Sequence, residues 1–176
     1  PVGVDFIGSG FVPLSLAQDE AIESFARAAQ MIRAKGASPW VQLFHGGAYT
    51  HPFLINNDTP MAPSAVFSKY SKTTPREMTK EEIKGVQQAF ADAAERARKA
   101  GFEGVEIIGS AGYLITQFLS PLKNLRQDEY GGSFENRVRF PRQIIQMVRE
   151  RVGPDFPIGV RMAGNDFVEG STRDDL

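Results

Sequence analysis

Gln42 sits inside an otherwise apolar run, Val41-Gln42-Leu43-Phe44, and Arg161 interrupts another, Pro157-Ile158-Gly159-Val160-Arg161-Met162. A buried amide must be hydrogen-bonded, because leaving it unpaired costs roughly 1–3 kcal/mol. A guanidinium on a strand is rarely buried without a partner. Each group can therefore serve a polar ligand edge, and Arg161 can stabilise negative charge as it develops there. Read without a ligand, Gln42 faces a helix or loop, and Arg161 pairs with Glu106 or Asp166. Tyr113 follows a third apolar run, Gly104-Val105-Glu106-Ile107-Ile108. Its phenol can donate a proton to a reacting carbon, general acid catalysis typically being worth about 10²–10⁴-fold. The alternative is an aromatic ring packed at the base of a loop.

His45 follows the second of these strands and reads as a structural residue, hydrogen-bonded near its loop, rather than as an acid. Tyr49 and His51 are candidates for lining a substrate pocket, with packing within the loop the equal alternative. The chain has 2 histidines and no cysteine, so a three-histidine metal site, thiolate ligands and a cysteine nucleophile are excluded within it, and no metal site is expected.

These residues need a scaffold, and the sequence alternates short apolar runs with amphipathic segments. Val2 to Ile7 reads as a buried strand. Glu20 to Lys35 reads as a helix with Ile22, Phe25, Ala29 and Ile32 on one face and Gly36 closing it. Strands follow at 41–44, 104–108 and 157–162. Thr79-Lys80-Glu81-Glu82 is a capping box opening a helix through Lys99, with Ile83, Val86, Phe90, Ala93 and Ala97 inward. Ser133 caps a helix to Val152 that Pro141 either kinks or starts late. Asp174-Asp175-Leu176 resembles the first turn of another helix. Two long segments, about Gly46 to Pro75 and the stretch reaching Gly132, follow strands, and loops of that length are often functional.

Strand and helix in alternation imply a parallel α/β sheet with right-handed crossovers. No Gly-x-Gly-x-x-Gly follows any strand, which disfavours a dinucleotide-binding doubly wound sheet. Long loops after strands and short turns before them suit a (β/α)₈ barrel, whose sites lie at the strands' C-terminal ends. Such a barrel needs about 250 residues, so 176 residues with four strands make about half of one. The missing strands are expected from the same native polypeptide, and a start without Met inside an apparent strand agrees. A net charge of −1 argues against a nucleic-acid partner, which needs a basic surface. No apolar stretch approaches the ~20 residues of a membrane span, and no signal peptide is visible. Cytoplasmic residence is the default expectation.

Three segments resemble the old yellow enzyme family of NADH:flavin oxidoreductases. They are Gln42-Leu43-Phe44-His45-Gly46-Gly47; the run from Gly112-Tyr113-Leu114 through Gln117-Phe118-Leu119-Ser120-Pro121, Asn124, Arg126, Asp128, Tyr130-Gly131-Gly132-Ser133, Glu135-Asn136-Arg137 and Arg139-Phe140; and Gly159-Val160-Arg161. Their order and spacing match across essentially the whole chain, from about the second to the fifth barrel strand. The resemblance implies that residues 1–176 are an internal part of a single FMN-binding TIM-barrel domain. It implies FMN across the barrel mouth, NADH or NADPH as reductant, and hydride delivery to an activated C=C bond. It implies that Gln42 and Arg161 hold the flavin's polar edge and that Tyr113 is the catalytic acid. Ser9 and Gly10, read as ending the first strand, are expected to approach the flavin through backbone groups.

The chain departs from typical ene-reductases, which place a His–Asn or His–His pair before this tyrosine to bind the substrate carbonyl. Here the matching positions are Ile108 and Ala111, which cannot donate a hydrogen bond. Ala48 stands where relatives often carry arginine. The stretch Gly109-Ser110-Ala111-Gly112-Tyr113-Leu114-Ile115 instead resembles the 2,4-dienoyl-CoA reductase branch, which implies a 2-enoyl or 2,4-dienoyl substrate such as a CoA thioester. An enone or free enoate remains an alternative small-molecule partner. An iron–sulfur cluster is conceivable only outside this segment, and a homo-oligomer stays open. Asn124, Arg126, Asp128, Glu135, Asn136, Arg137 and Arg139 read as architectural, their donors satisfying loop carbonyls. Two other readings stand beside this one: a non-catalytic barrel fragment acting as a scaffold, and a flavin-free barrel lyase or aldolase. The aldolase lacks a strand-end lysine for a Schiff base.

Overall fold

The computed structural model describes residues 1–10, 14–164 and 169–170. The first turn of a further helix expected at 174–176, Asp166 and part of the segment after β6 lie outside them. Strands β1 (Val2–Gly3), β2 (Trp40–Phe44), β5 (Gly104–Gly109) and β6 (Ile158–Met162) form a four-stranded sheet in that order, parallel throughout. Helices α1 (Ala21–Arg33), α2 (Lys80–Lys99) and α5 (Arg139–Val152) are the crossovers between consecutive strands of this sheet. This is the α/β architecture of a partial (β/α)₈ barrel.

Alternation along the strands divides the sheet into two faces. Val41, Leu43, Val105 and Ile107 point to the helices and join Ile83, Val86, Phe90, Ile144 and Val148 in one core. The other face carries Trp40, Gln42 and Phe44 on β2, Glu106 and Ile108 on β5, and Gly159 and Arg161 on β6. The Trp40 ring lies over Gly104, where a Cβ would collide with it. A glycine at 104 is therefore what lets the indole cross the lower end of this face.

The α2 capping box forms as the sequence predicts. Thr79 Oγ1 accepts from the Glu82 N–H at 3.2 Å, and Glu82 Oε2 accepts from the Thr79 N–H at 2.9 Å. Three expectations need correction. The first strand ends at Gly3, and residues 4–10 turn instead, because Asp5 caps its own turn: its carboxylate accepts from the Gly8 N–H and its carbonyl from the Ser9 N–H. The segment capped by Ser133 is two helices, α4 (Phe134–Arg137) and α5 (Arg139–Val152). Pro141 has no N–H for the Arg137 carbonyl, so the helical ladder breaks there and resumes with Pro141 in the first turn of α5. The long segment after β2 contains two 3₁₀ turns and a short parallel ribbon, β3 (Met61–Ala62) with β4 (Arg76–Glu77). Strands of two residues are too short to show periodicity.

The architectural run behaves as its composition suggests. Asn124 Nδ2 donates to the carbonyls of Phe118 and Tyr130, each at 2.7 Å. Arg126 Nη1 donates to the Pro63 and Met78 carbonyls, while Nε and Nη2 hold Asp128. Arg137 donates to the Leu119 and Gly132 carbonyls, and Arg139 to that of Glu129. These bonds hold the long loop between α3 (Leu114–Leu119) and α4 against the neck of the β3–β4 ribbon.

Candidate functional site

The C-terminal ends of β1, β2, β5 and β6 lie at one end of the sheet, as parallel pairing requires. Two groups of candidate residues assemble there. The first lies on the sheet face itself. Gln42 and Glu106 are register partners, and Arg161 stands opposite Ile108 one layer above. Gln42 Nε2 donates to Glu106 Oε1 at 2.5 Å. Arg161 Nε donates to the same oxygen at 3.0 Å, and its Nη2 to Glu106 Oε2 at 3.3 Å. Gln42 and Arg161 thus share one face and one carboxylate. The ion pair with Glu106 foreseen as the ligand-free reading of Arg161 is present. Because 59% of the Arg161 side chain remains exposed, this pair leaves the guanidinium accessible. The Arg161 hydrogen bond, and after it that from Gln42, hold the Glu106 carboxyl below the usual carboxylate range. The sequence reading treated Glu106 as a partner for Arg161, and missed that it also anchors the amide. The signal was available: two residues before Ile108, a charge sits on the same strand face as Gln42.

The second group stands on the loops above. Tyr113 is the N-cap residue of α3, and its ring lies 5.3 Å from that of Phe44, which shares the face of Gln42. Tyr113 also meets Tyr49 edge-on at 6.2 Å, and Tyr49 meets Tyr70 at 5.0 Å. His51 extends the file, with centroids 5.9 Å from Tyr70 and 5.5 Å from Phe53. Tyr49 and His51 therefore stand in one aromatic file with Tyr113, while Tyr70 and Phe53 enter it without a sequence signal. Burial raises the Tyr113 phenol above its ordinary range, with Tyr70 and Tyr49 adding to the effect, so the phenol is protonated at neutral pH.

Ile108 is buried on the same face as Gln42 and Arg161. Ala111 is exposed and has φ 59°, in the left-handed region that a side chain with Cβ adopts at a cost. Ser9 and Gly10 do not end a strand. Ser9 Oγ donates to the Asp5 carbonyl, and both backbone N–H groups are used inside the turn, bonded to the carbonyls of Asp5 and Ile7. Gly10 packs beneath Thr50.

His45 is fully buried. Its Nδ1 accepts from the Gly47 N–H at 3.0 Å, and its carbonyl accepts from the Leu114 N–H at 3.0 Å. Burial lowers its pKa, and Asp5, whose Oδ2 lies 3.5 Å from Nε2, offsets this in part. The side chain is a neutral strut between the loops after β1 and β2, and the backbone carbonyl ties in the loop after β5.

Residues 11–174 match the sequence family described as the NADH:flavin oxidoreductase / NADH oxidase family. Over 169 residues the chain is 47% identical to a metal reductase of Desulforamulus reducens, covering 96% of this chain and 25% of that protein. It is 45% identical to an NADH oxidase of Thermoanaerobacter brockii, covering 89% of this chain and 24% of that protein. Among solved structures it superposes on a 2-naphthoyl-CoA reductase in complex with 2-naphthoyl-CoA with TM-score 0.92 at 33% identity, covering 98% of this chain and 28% of that one. The chain thus spans about a quarter of the length of each of these proteins.

Proposed function

Because this chain belongs to the NADH:flavin oxidoreductase / NADH oxidase family, we propose that it is an internal part of a single FMN-binding barrel domain that reduces an activated C=C bond with NADH or NADPH. The observation that carries the reading is the convergence of Gln42 and Arg161 on one face of the sheet, with the Tyr113 phenol on the loop above it.

The residues fit a flavin. An amide and an accessible guanidinium side by side suit the carbonyl and imide groups of its pyrimidine edge. FMN held by Gln42 and Arg161 would supply the two-electron chemistry between the nicotinamide and the alkene. Arg161 sets a positive charge where negative charge accumulates, and it is fixed in advance by Glu106. Glu106 also orients the Gln42 amide through the short bond to its nitrogen. Tyr113 donates the proton that the α-carbon takes as hydride reaches the β-carbon, so the alkene gains one hydride and one proton. Its raised pKa keeps that proton in place until then.

Ile108 and Ala111 offer no hydrogen bond to a substrate carbonyl, which favours a thioester or related enoate over a small enone. Tyr49 and His51 line the approach to Tyr113 as an aromatic wall suited to a flat conjugated acyl group. A related reductase solved with 2-naphthoyl-CoA supports a conjugated thioester. A 2-enoyl or 2,4-dienoyl thioester is the proposed substrate class. Family membership sets aside the flavin-free lyase.

The test is anaerobic. The intact protein carrying this segment is reduced with NADH or NADPH, and its flavin absorbance is followed after adding 2-enoyl and 2,4-dienoyl thioesters or cyclohexenone. Faster reoxidation by the thioesters is expected. A folded protein without flavin absorbance sinks the reading and leaves the scaffold. Residues 1–176 alone are expected to bind FMN weakly, since the phosphate site of such barrels follows the seventh and eighth strands.

A further inference from the structure

Gln117 is a polar side chain inside the core of the loop layer, 4% exposed, and the chemistry above does not use it. All of its hydrogen-bonding groups point away from its own helix. Its Oε1 accepts from the Ala48 N–H at 3.0 Å. Its Nε2 donates to the Gly46 carbonyl at 3.2 Å and to the Gly112 carbonyl at 2.8 Å. One carboxamide therefore joins the loop after β2, at residues 46 and 48, to the loop after β5, at residue 112.

The fit around it is tight on both sides. Gly47 has φ 60°, and a Cβ there would strike the Gln117 carboxamide. Gly112 has φ 78°, and a Cβ there would strike the Tyr49 hydroxyl. The two loops thus meet glycine to side chain, with the amide between them. Tyr113 follows Gly112 directly, and its carbonyl accepts from the Gln117 N–H at 2.9 Å. Tyr49 follows Ala48 directly. Two of the residues that Gln117 holds, Ala48 and Gly112, are the immediate neighbours of Tyr49 and Tyr113, whose rings meet edge-on.

Resting on the reading of Tyr113 as proton donor, we propose that Gln117 is the positioning residue for that donor. It straps the loop after β2 to the loop after β5 and so fixes the Tyr113 phenol against Tyr49. A general acid must stand within hydrogen-bond reach of the atom it protonates, and a displacement of about 1 Å can reduce a rate by about 10²-fold. Both of its functional ends are needed. A carboxylate at this position keeps the bond from Ala48 but repels the two carbonyls, whereas an apolar side chain loses all three bonds.

The experiment uses the flavin-loaded protein and the variants Gln117→Glu, Gln117→Leu and Tyr113→Phe, with Gln117→Leu/Tyr113→Phe as the double variant. Reduction of the flavin by NADPH and its reoxidation by the alkene are timed separately. The expected result is reoxidation slowed at least about tenfold in Gln117→Leu, with flavin content and the NADPH step within about twofold of the parent. The double variant is expected to be no slower than Tyr113→Phe alone, because a residue that acts through Tyr113 has nothing left to position. Gln117→Glu is expected to lose reoxidation rate as pH rises and its carboxyl ionises, a profile that a loss of packing does not produce. In the cofactor-free protein, the Ala48 amide of Gln117→Leu is expected to exchange with deuterium faster than in the parent.

Equal slowing of both half-reactions, additivity with Tyr113→Phe, or a pH-independent Gln117→Glu would overturn the proposal. If Tyr113→Phe itself leaves reoxidation unchanged, the donor assignment fails, and the strap has no donor to position. Should Gln117→Leu fail to fold, the Gln117→Glu pH profile carries the test by itself.

Discussion

Arg161 and Glu106 face each other across adjacent strands with two hydrogen bonds, Nε to Oε1 at 3.0 Å and Nη2 to Oε2 at 3.3 Å. The guanidinium is held before any ligand arrives. Replacing Arg161 by leucine removes the cation and leaves the Glu106 carboxylate with only the Gln42 amide on the face proposed for the flavin. The expected result is a fall of about 10²-fold in flavin reduction by NADPH, measured by stopped-flow absorbance. Glu106→Gln keeps the cation and is expected to lose far less.

The same pair sets a pH expectation. The folded pKa of Glu106 is depressed, by Arg161 first and Gln42 second. A carboxylate of this kind contributes stability above its unfolded pKa and loses it as pH falls through the folded value. Flavin reduction is therefore expected to show no ionisation from this group between about pH 5 and 8. A step in the Glu106 carboxyl signal by NMR inside that window would contradict the arrangement.

Local signals and long-range ones had different fates in this chain. The α2 cap was legible because Thr79 and Glu82 satisfy each other within one turn. The four strands of the main sheet were legible from apolar runs, and the shared site of Gln42 and Arg161 was implied by the family resemblance. The turn at 4–10 was not, since Val4 and Ile7 continue the apolar pattern while the decisive contact is the Asp5 carboxylate on the Gly8 N–H. Gln117 carried no legible role, because two of its three partners, Ala48 and Gly46, lie about 70 residues away in sequence and meet it only once two strands are paired. Tyr70 enters the aromatic file through the folding of the segment after β2 on itself, which no periodicity announces.

Ala111 offers a gain-of-function test. Its φ of 59° is one that asparagine tolerates far better than alanine, through local side-chain hydrogen bonding. Ala111→Asn is therefore expected to leave stability unchanged or raise it by up to about 1 kcal/mol. It also installs a donor at the position where this chain lacks one, and Ile108→His adds a second on the face of Arg161. The double variant is expected to reduce cyclohexenone faster than the parent, read as NADPH oxidation under argon. No gain in enone turnover by a stable double variant would remove the argument from Ile108 and Ala111 to substrate class.

Arg126 tests the architecture apart from the chemistry. Its side chain is 5% exposed and serves the carbonyls of Pro63 and Met78 as well as the Asp128 carboxylate. Arg126→Ala strands these groups, and a loss of about 3–5 kcal/mol is expected in urea unfolding. Arg126→Lys keeps the charge without the fork and is expected to recover only part of it. A loss below about 1 kcal/mol for Arg126→Ala would show that the loop is held by other contacts.

His45 supplies the acid limit of the fold. Burial depresses its pKa, the opposite shift from that of a histidine gaining an anionic partner, so the folded chain holds it neutral while the unfolded chain protonates it at the ordinary histidine pKa. Over the interval between the folded and unfolded values the unfolded state binds more protons, and stability rises with pH there. Acidification from pH 7.5 is therefore expected to destabilise the protein as soon as pH passes below the ordinary histidine range, well before its carboxylates titrate. Nδ1 is committed to the Gly47 N–H, so protonation there breaks that bond and places a cation in a fully buried site. His45→Asn preserves an acceptor at that end without a titrating group. Its urea midpoint is expected to be lower than the parent's at pH 7.5 and nearly constant down to pH 5.5, so that the two curves converge on acidification. Parallel curves over that interval would mean that His45 does not control the acid response.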